Sequence, residues 1–258
     1  MSDPVEVPEP ADLTPWERLK AYTDARIALG RVGTSLPTAE LLRFSQAHAL
    51  ARDAVLAGTD FSSLSTADTL HVRSLAGSRS EYLRRPDLGR RLHPESVALL
   101  RAVRVTPSPD VLLMLSDGLS AAAAERQAAG VLNVLQPGLH ALGLTVAPLL
   151  LAAQARVALA DEAAGLLGAR LAIHLIGERP GLSSPDSLGA YLTYAPRAGT
   201  PDAERNCVSN IRPAGLDAGV AARRLLYLTA EALRRGLSGV GLKDASEGAE
   251  RRLAGEPE

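Results

Sequence analysis

The residues best suited to chemistry are concentrated between positions 176 and 212. Glu178 and Arg179 stand in a turn rich in Gly and Pro, directly after the apolar run 171–176. In open α/β sheets, ligands bind at such carboxyl ends of strands. Glu178 therefore has two interpretations. It accepts hydrogen bonds from the amides of a ligand, or it forms a surface ion pair with Arg179 worth at most about 1 kcal/mol, and position alone favours the structural interpretation slightly.

Two further groups also have a chemical and a structural interpretation. Cys207, the only cysteine, would need a positioned base to act as a nucleophile, and no His lies within thirty residues of it in the sequence. A buried cysteine that behaves as a small hydrophobe is the better default. Asp117-Gly118 follows an apolar run and precedes a helical stretch. It indicates either a helix cap, formed by Asp or Ser, or a site for an anion or polar ligand edge, with about equal weight.

The common catalytic and cofactor motifs are absent from the sequence. It contains no G-x-G-x-x-G turn that opens a helix, no P-loop and no Gly-x-Ser-x-Gly elbow. The spacing of Cys and His fits no zinc site, and no two histidines are four residues apart. We expect His48 to be a core or interface residue, while His71, His93, His140 and His174 are scattered. The sequence thus predicts neither catalytic residues nor metal ligands in this chain.

The composition limits the class of protein. With 258 residues and a formal net charge of −1, the chain is long enough for a substantial core and has no charge excess for nucleic acid or a membrane surface. A single cysteine is typical of a reducing compartment. The start MSDPVEVPEP is acidic and Pro-rich, unlike a secretory signal, and no apolar run approaches the ~20 residues that span a bilayer. We expect a cytoplasmic protein with no nucleic-acid or membrane partner.

The first part of the chain has a helical pattern. Residues 1–15 are predicted to be a disordered tail, and residues 16–105 a helical N-terminal domain. Pro37 suits a first helical turn, and apolar side chains then recur every three or four residues until Gly58. The residues on that helical face are Leu41, Phe44, His48, Ala51 and Val55. Further helices are expected over 66–76 and 95–103.

After Thr106-Pro107-Ser108-Pro109, short apolar runs alternate with helical stretches. Strands are expected at 111–115, 145–151, 171–176 and 190–195, with a short last strand through Val240; helices are expected at 121–135, 157–167 and 218–235, the last two closed by Gly168 and Gly236. This alternation predicts an α/β fold, in which a helical N-terminal region precedes a Rossmann-like, mostly parallel sheet domain over 106–244. Residues 245–258 are predicted to be a second disordered tail.

Several long stretches carry a family resemblance. The strongest are GERPGLSSPDSLGAYLTYAPR at 177–197 and ERNCVSNIRPAGL at 204–216; the others are ARIALGRVGTSLPTAELLRFSQAHALARDAV at 25–55, EYLRRPDLGRRL at 81–92, SDGLSAAAAERQ at 116–127, RVALADEAAGLLGA at 156–169 and SGVGLKD at 238–244. Together they span about residues 15–244. They resemble the small (light) chain of ethanolamine ammonia-lyase, an adenosylcobalamin-dependent enzyme family.

The resemblance implies an activity, a cofactor and a partner. In this family the holoenzyme converts ethanolamine to acetaldehyde and ammonia, and an adenosyl radical from the cofactor abstracts hydrogen from the substrate. The substrate site lies in a large subunit with a TIM barrel, and the small chain covers the other side of the corrinoid at the subunit interface. Six large and six small chains assemble, so this chain is expected to be inactive alone.

The family's corrinoid contacts carry over to three positions of this sequence. They are Val157, which follows the Arg of RVALAD, Glu178, the acid of GERPG, and Cys207 of NCVSNI. By resemblance, Val157 and Cys207 would pack against the cofactor, and Glu178 would bind its amides. Cys207 would then be a contact residue and not a nucleophile.

Two other features bear on the resemblance. The motif Asp-x-His-x-x-Gly, by which some B12 proteins supply a His to cobalt, is absent, so the cofactor's own dimethylbenzimidazole is the expected lower ligand. Some relatives have a longer, more basic or amphipathic N-terminus linked to encapsulation in ethanolamine-utilisation microcompartments, whereas this one is short and acidic, which puts encapsulation in doubt. A non-catalytic scaffold subunit and a stand-alone α/β small-molecule enzyme that uses Asp117, Glu178 and Cys207 remain as alternatives.

Overall fold

The computed structural model describes residues 14–23, 25–59, 61–66, 68–103 and 106–246. The two predicted tails fall almost entirely outside these residues. The chain divides into two compact units between Leu50 and Ala51. The predicted domain boundary near residue 106 stays a prediction.

The first unit contains a short helix and most of a long one. Helix α1, Pro15–Lys20, begins with a capping box in which Thr14 and Glu17 satisfy each other's backbone N–H groups. Helix α2, Thr38–Leu56, follows Pro37, so the helix predicted from the apolar spacing is confirmed. The predicted apolar face is nevertheless largely exposed, since among the described side chains of α2 only Ala54 is buried.

A six-stranded sheet organises the second unit. Its strands are β1 Thr69–Arg73, β2 Val111–Ser116, β3 Leu149–Ala153, β4 Leu171–Gly177, β5 Leu188–Tyr194 and β6 Arg205–Ile211. They lie in the order β1-β3-β2-β4-β5-β6. The pairs β1–β3, β3–β2 and β2–β4 are parallel, whereas β4–β5 and β5–β6 are antiparallel. The predicted α/β fold with a mostly parallel sheet is therefore confirmed.

Helices cover the two faces of this sheet. On one face, helices α5, Ala121–Ala141, and α7, Ala218–Arg235, pack on alternate strand residues such as Leu113 and Leu115. On the other face, α4, Pro94–Ala102, and α6, Leu159–Leu167, pack on the intervening residues, among them Leu112 and Met114. Because β2 and β4 are buried on both faces, their sequences are almost continuous apolar runs, interrupted in β4 by His174. Helix α3, Arg79–Arg84, follows β1.

Two of the expected elements are wrong and one was missed. The helix expected over 66–76 is replaced by β1, an edge strand whose residues alternate between the covered and the exposed side, with Val72 buried between His71 and Arg73. The strand expected through Val240 is a 3-10 turn, Gly239–Gly241. Gly239 has φ +76, and a Cβ there would lie 2.0 Å from the Ala203 carbonyl oxygen, so only glycine fits this approach. Strand β6 was not expected.

The helix ends agree better with the sequence. Helices α6 and α7 both end at a left-handed glycine, Gly168 and Gly236, as predicted. Helix α5 runs longer than expected, because it continues through Pro137 to Ala141. None of the described helices combines the length and apolar character that crossing a bilayer requires.

Candidate functional site

The carboxyl ends of β2, β3 and β4 lie at one edge of the sheet. The helix after β2 packs on one face and the helix after β3 on the other, so a crevice forms between the two loops. Asp117 lies at this point, where its Oδ2 accepts from Arg79 Nη1 at 3.0 Å and its Oδ1 accepts from the backbone N of Gln154 at 2.8 Å. Burial raises the pKa of Asp117 to about 6, although Arg79 opposes that rise.

Asp117 is therefore not the cap of α5, and the site for an anion or polar ligand edge stays a prediction. The cap of α5 is Ser120, whose Oγ accepts from the backbone N of Ala123 at 3.2 Å. Asp117 instead joins the ends of β2 and β3 through its hydrogen bond from the Gln154 backbone N, and its ion pair with Arg79 at the start of α3 is almost entirely buried. The expectation that Asp or Ser caps this helix therefore holds for Ser120 alone.

Two adjoining cavities lie beside this crevice. The larger has a volume of about 880 Å³ and is lined in part by Glu162 of α6 and Cys207 of β6. The smaller has a volume of about 420 Å³ and is lined in part by Glu178. Both are lined by Arg156, Val157 and Tyr191, which we call the shared wall. All three residues assigned by resemblance, Val157, Glu178 and Cys207, therefore line one pair of cavities.

Val157 belongs to the loop between β3 and α6, and its carbonyl oxygen is hydrogen-bonded to the buried His174 of β4. His174 Nδ1 lies 3.1 Å from the Val157 carbonyl oxygen, and its Nε2 lies 2.7 Å from Ser116 Oγ. Because a carbonyl only accepts, Nδ1 carries the proton and Nε2 accepts from the Ser116 hydroxyl. Burial lowers the pKa of His174 to about 4, so the ring is neutral at pH 7.

Glu178 is oriented by two donors on one of its oxygens. Oε2 accepts from Ser187 Oγ at 2.6 Å and from the backbone N of Asn210 at 3.2 Å. Asn210 lies at an irregularity in the β5–β6 register and has φ 59, a left-handed conformation that Asn tolerates well. Oε1 lies over Gly189, where a Cβ would approach it to 2.9 Å. No ion pair with Arg179 occurs among the described residues, so the expected ion pair is wrong, while the role of Glu178 in binding a ligand stays a prediction.

Cys207 pairs with Tyr191 across β6 and β5. The expectation of a buried cysteine is wrong, because Cys207 is exposed. Its neighbour Val208 points into the core beneath α5 and α7, and Cys207 lies on the opposite side of β6. Its surroundings still desolvate the thiol enough to raise its pKa, an effect that the hydrogen bond with Tyr191 opposes. A thiol with a raised pKa is a poor nucleophile, which favours a contact role over covalent catalysis.

Sequence reasoning missed other residues of the site. Arg156 stacks over the ring of Tyr82, with Cζ 4.4 Å from the ring centroid. Arg205 lines the larger cavity but is already engaged, because it forms a buried ion pair with Asp161 at 2.5 Å and donates to the Thr200 carbonyl at 2.7 Å. His174 is the single polar residue in the apolar run 171–176, and this was the signal available in the sequence. Its hydrogen-bond partners, Ser116 and Val157, could be identified only from the fold.

The described residues contain no cluster of three or more His, Cys, Asp or Glu side chains that could hold a metal ion. The site therefore consists of an oriented carboxylate, an apolar loop residue, a thiol and an arginine around two open cavities. Such a set can hold a large organic ligand that offers both amide donors and apolar edges.

Comparison with known proteins identifies the family. Residues 13–243 match the family described as "Ethanolamine ammonia-lyase light chain (EutC)". The chain is 53% identical over 246 residues to the ethanolamine ammonia-lyase small subunit of Pseudomonas putida (strain GB-1), covering 92% of this chain and 90% of the relative. It is 52% identical to that of Azotobacter vinelandii, covering 92% and 91%, and 51% identical to that of Ralstonia nicotianae, covering 92% of each. The chain therefore belongs to the ethanolamine ammonia-lyase light chain family.

Proposed function

We propose that this chain, together with the large subunit of ethanolamine ammonia-lyase, binds adenosylcobalamin and so supports the radical deamination of ethanolamine to acetaldehyde and ammonia. One observation carries the proposal. Val157, Glu178 and Cys207, which lie far apart in the sequence, line two cavities that share one wall. The relatives' names identify the enzyme of which they are subunits. The binding of adenosylcobalamin by this chain is our proposal.

The groups at these cavities fit a corrinoid. The rim of a corrin ring carries neutral amide side chains, whose N–H groups need acceptors when they leave water. Among the described hydrogen bonds of Glu178, both side-chain contacts involve Oε2, so Oε1 keeps its capacity to accept. Val157 adds an apolar contact on the shared wall, and Cys207 adds a soft thiol in the larger cavity.

The residues of this chain would bind and orient the cofactor. When bound, adenosylcobalamin supplies the radical chemistry. Glu178, held by Ser187 and Asn210, would accept from corrin amides, while Val157 and the protonated thiol of Cys207 would pack against the ring. We place no catalytic residue in this chain, because in this proposal the substrate site belongs to the TIM-barrel large subunit. Six large and six small chains are the assembly that we infer.

The first test is co-expression of this chain with its large subunit, followed by an ethanolamine deamination assay with and without adenosylcobalamin. We expect activity only when both chains and the cofactor are present. Activity of this chain alone would instead support the stand-alone enzyme. Absence of activity in every combination would contradict the proposal.

The variant Glu178→Ala separates cofactor binding from scaffolding. Because it removes a charge-assisted acceptor, we expect cobalamin affinity to fall about 10- to 100-fold, while assembly with the large subunit stays intact. Equilibrium titration of the purified complex with cyanocobalamin measures this directly. Glu231→Ala, on α7 at the opposite face of the sheet, is the matched control. Normal cofactor affinity of Glu178→Ala would mean that Glu178 is not a contact.

The place of the protein in the cell follows from its sequence only. Most of the acidic start lies outside the described residues. The cytoplasmic location stays a prediction, and so does the question of encapsulation in a microcompartment. Fractionation of the native host, with detection of this chain in shell-containing and soluble fractions, decides between them.

A further inference from the structure

Arg156 is held rigidly on the shared wall. Its guanidinium stacks on Tyr82, a fully buried ring whose hydroxyl donates to the Ala155 carbonyl at 2.9 Å. Its backbone N donates to the Gly89 carbonyl at 2.8 Å. A Cβ on Gly89 would lie 2.9 Å from Arg156 Cγ, so the absence of a side chain there makes room for the arginine stem. The charge is therefore fixed in position before any ligand arrives.

The guanidinium of Arg156 has unused hydrogen-bonding capacity. Its Nε is buried without a hydrogen-bond partner, and buried polar groups are rarely left in that state. In the described part of the chain, the ion pairs at the larger cavity use its neighbours instead. Arg91 pairs with Glu162 at 3.3 Å, and Arg205 pairs with Asp161 and Asp202. Arg156 thus stands as a positioned cation whose charge these carboxylates do not compensate.

The larger cavity as a whole has an excess of positive charge. Four arginines line it, namely Arg90, Arg91, Arg156 and Arg205, against the two acids Glu162 and Asp202. Both acids are already in ion pairs with lining arginines, and the buried Asp161 also pairs with Arg205, so one of the four positive charges remains in excess. A cavity of this charge favours an anionic group. Glu178, whose Oε1 keeps its capacity to accept, lines the smaller cavity on the other side of the shared wall.

We propose that Arg156 binds the phosphodiester of the cobalamin nucleotide loop. This inference rests on the proposed function, and it fixes the direction in which the cofactor lies. The phosphodiester is the anionic group of cobalamin, and its oxygens match the planar fork of a guanidinium. The nucleotide loop occupies the larger cavity, and the amide-bearing edge of the corrin lies toward Glu178 in the smaller cavity. Arg156 is a binding residue, distinct from the three contacts assigned by resemblance.

The test compares two corrinoids on the complex with the large subunit. Cyanocobalamin contains the phosphodiester, whereas cobinamide lacks both the phosphate and the nucleotide. We expect Arg156→Gln to weaken cyanocobalamin binding about 10- to 100-fold and to leave cobinamide binding within about twofold. Arg156→Lys keeps the charge but loses the fork and the stack on Tyr82, so its affinity should fall between those of the other two proteins. Arg101→Gln, an exposed residue on α4, is the matched control.

Added salt and inorganic phosphate complete the experiment. Raising the ionic strength should weaken cyanocobalamin binding to the wild-type complex more than to the Arg156→Gln complex. Where cobinamide binds too weakly to measure, this salt dependence tests the inference in its place. Equal weakening of both corrinoids with an equal salt slope would show that Arg156 is only structural. Phosphate binding that depends on Arg156, with unchanged cyanocobalamin affinity, would indicate a free-anion site and overturn the inference. A wild-type complex that binds neither corrinoid would contradict the proposed function itself.

Discussion

His174 connects the buried core to the wall between the two cavities, because its ring nitrogens hold Ser116 on β2 and the Val157 carbonyl before α6. The side chain is 1% exposed. A neutral ring satisfies both contacts, whereas a protonated ring would have to point a second N–H at Ser116, whose hydroxyl can also accept, and would bury a charge. The protonation state of His174 is therefore set mainly by burial.

We predict that His174→Asn reveals a pH dependence that is masked in the wild-type chain. The folded pKa of about 4 lies below the ordinary value of 6.5, so the unfolded chain binds the proton first, and acidification from pH 7 to pH 5 costs about 1–2 kcal/mol. The pKa of Asp117, raised from 3.8 to about 6, has the opposite sign and stabilises the folded chain by about 1 kcal/mol over the same range. The two effects largely cancel in the wild type.

Urea unfolding at pH 7 and pH 5 measures this difference. Without His174, we expect the free energy of unfolding to rise as the pH falls from 7 to 5, while that of the wild type changes little. Asp117→Asn should show the opposite trend, with stability falling in acid. The same pH slope in all three proteins would mean that neither buried group titrates as described.

At the scale of the elements, the loop after β2 and the end of β4 are in close contact. The backbone N of Leu119 donates to the Gly177 carbonyl at 2.8 Å. A Cβ on Gly177 would lie 2.1 Å from the Ser120 carbonyl oxygen and 2.4 Å from that of Asp117. Because the nearest atoms belong to the backbone of this loop and not to the end of a flexible side chain, they cannot easily move aside. Gly177 immediately precedes Glu178, so this contact also fixes the position of the site carboxylate.

We predict that Gly177→Ala destabilises the chain by about 3 kcal/mol or more, because the new methyl group overlaps backbone atoms. Thermal and urea unfolding measure the change. Gly58→Ala is the matched control, since a Cβ there meets nothing within 4 Å, and its effect should stay within about 1 kcal/mol. Equal stability of the two variants would contradict the close approach.

The sequence predicted elements well where local signals agree. Helix α7 has both predicted ends, because Asp217 caps its start and Gly236 its end. Strand β6 was missed because it lies at the sheet edge, and only Val208 and Ile211 of its apolar residues are buried. The position of Glu178 after a strand was predictable for the same local reasons. The contact between Cys207 and Tyr191 depends on strand register, and the stacking of Arg156 on Tyr82 depends on long-range packing. No short window of sequence contains this information.

At the scale of the whole molecule, exposed apolar side chains are concentrated in the described residues between Thr14 and Leu50. Tyr22 is 87% exposed and Leu42 is 63% exposed. More than half of the exposed large apolar residues in the described part of the chain lie in this region, namely Trp16, Leu19, Tyr22, Val32, Leu36, Leu41, Leu42, Phe44 and Leu50. Exposed apolar residues in such numbers are typical of a chain that has a partner. For a member of a small-subunit family, the large subunit is the expected partner.

We predict that the isolated chain binds a hydrophobic dye such as ANS and that the large subunit suppresses this binding. The double variant Leu41→Ser/Leu42→Ser should bind less dye and assemble less tightly, because it removes apolar area that the partner would cover. Size-exclusion chromatography and titration with the large subunit measure assembly. Val240→Ser, at an exposed apolar residue outside this region, is the control. Unchanged assembly of the double variant would show that this surface does not contact the partner.

The exposed apolar residues of the N-terminal region also have a consequence for the supply of the two chains in the cell. If the large subunit covers this surface, copies made in excess of it would keep the surface in water and would be exposed to aggregation and proteolysis. Copies that bind the partner would be protected. We therefore expect the ratio of small to large chains to be corrected after translation, so that matched amounts persist even when the two messages are translated unequally.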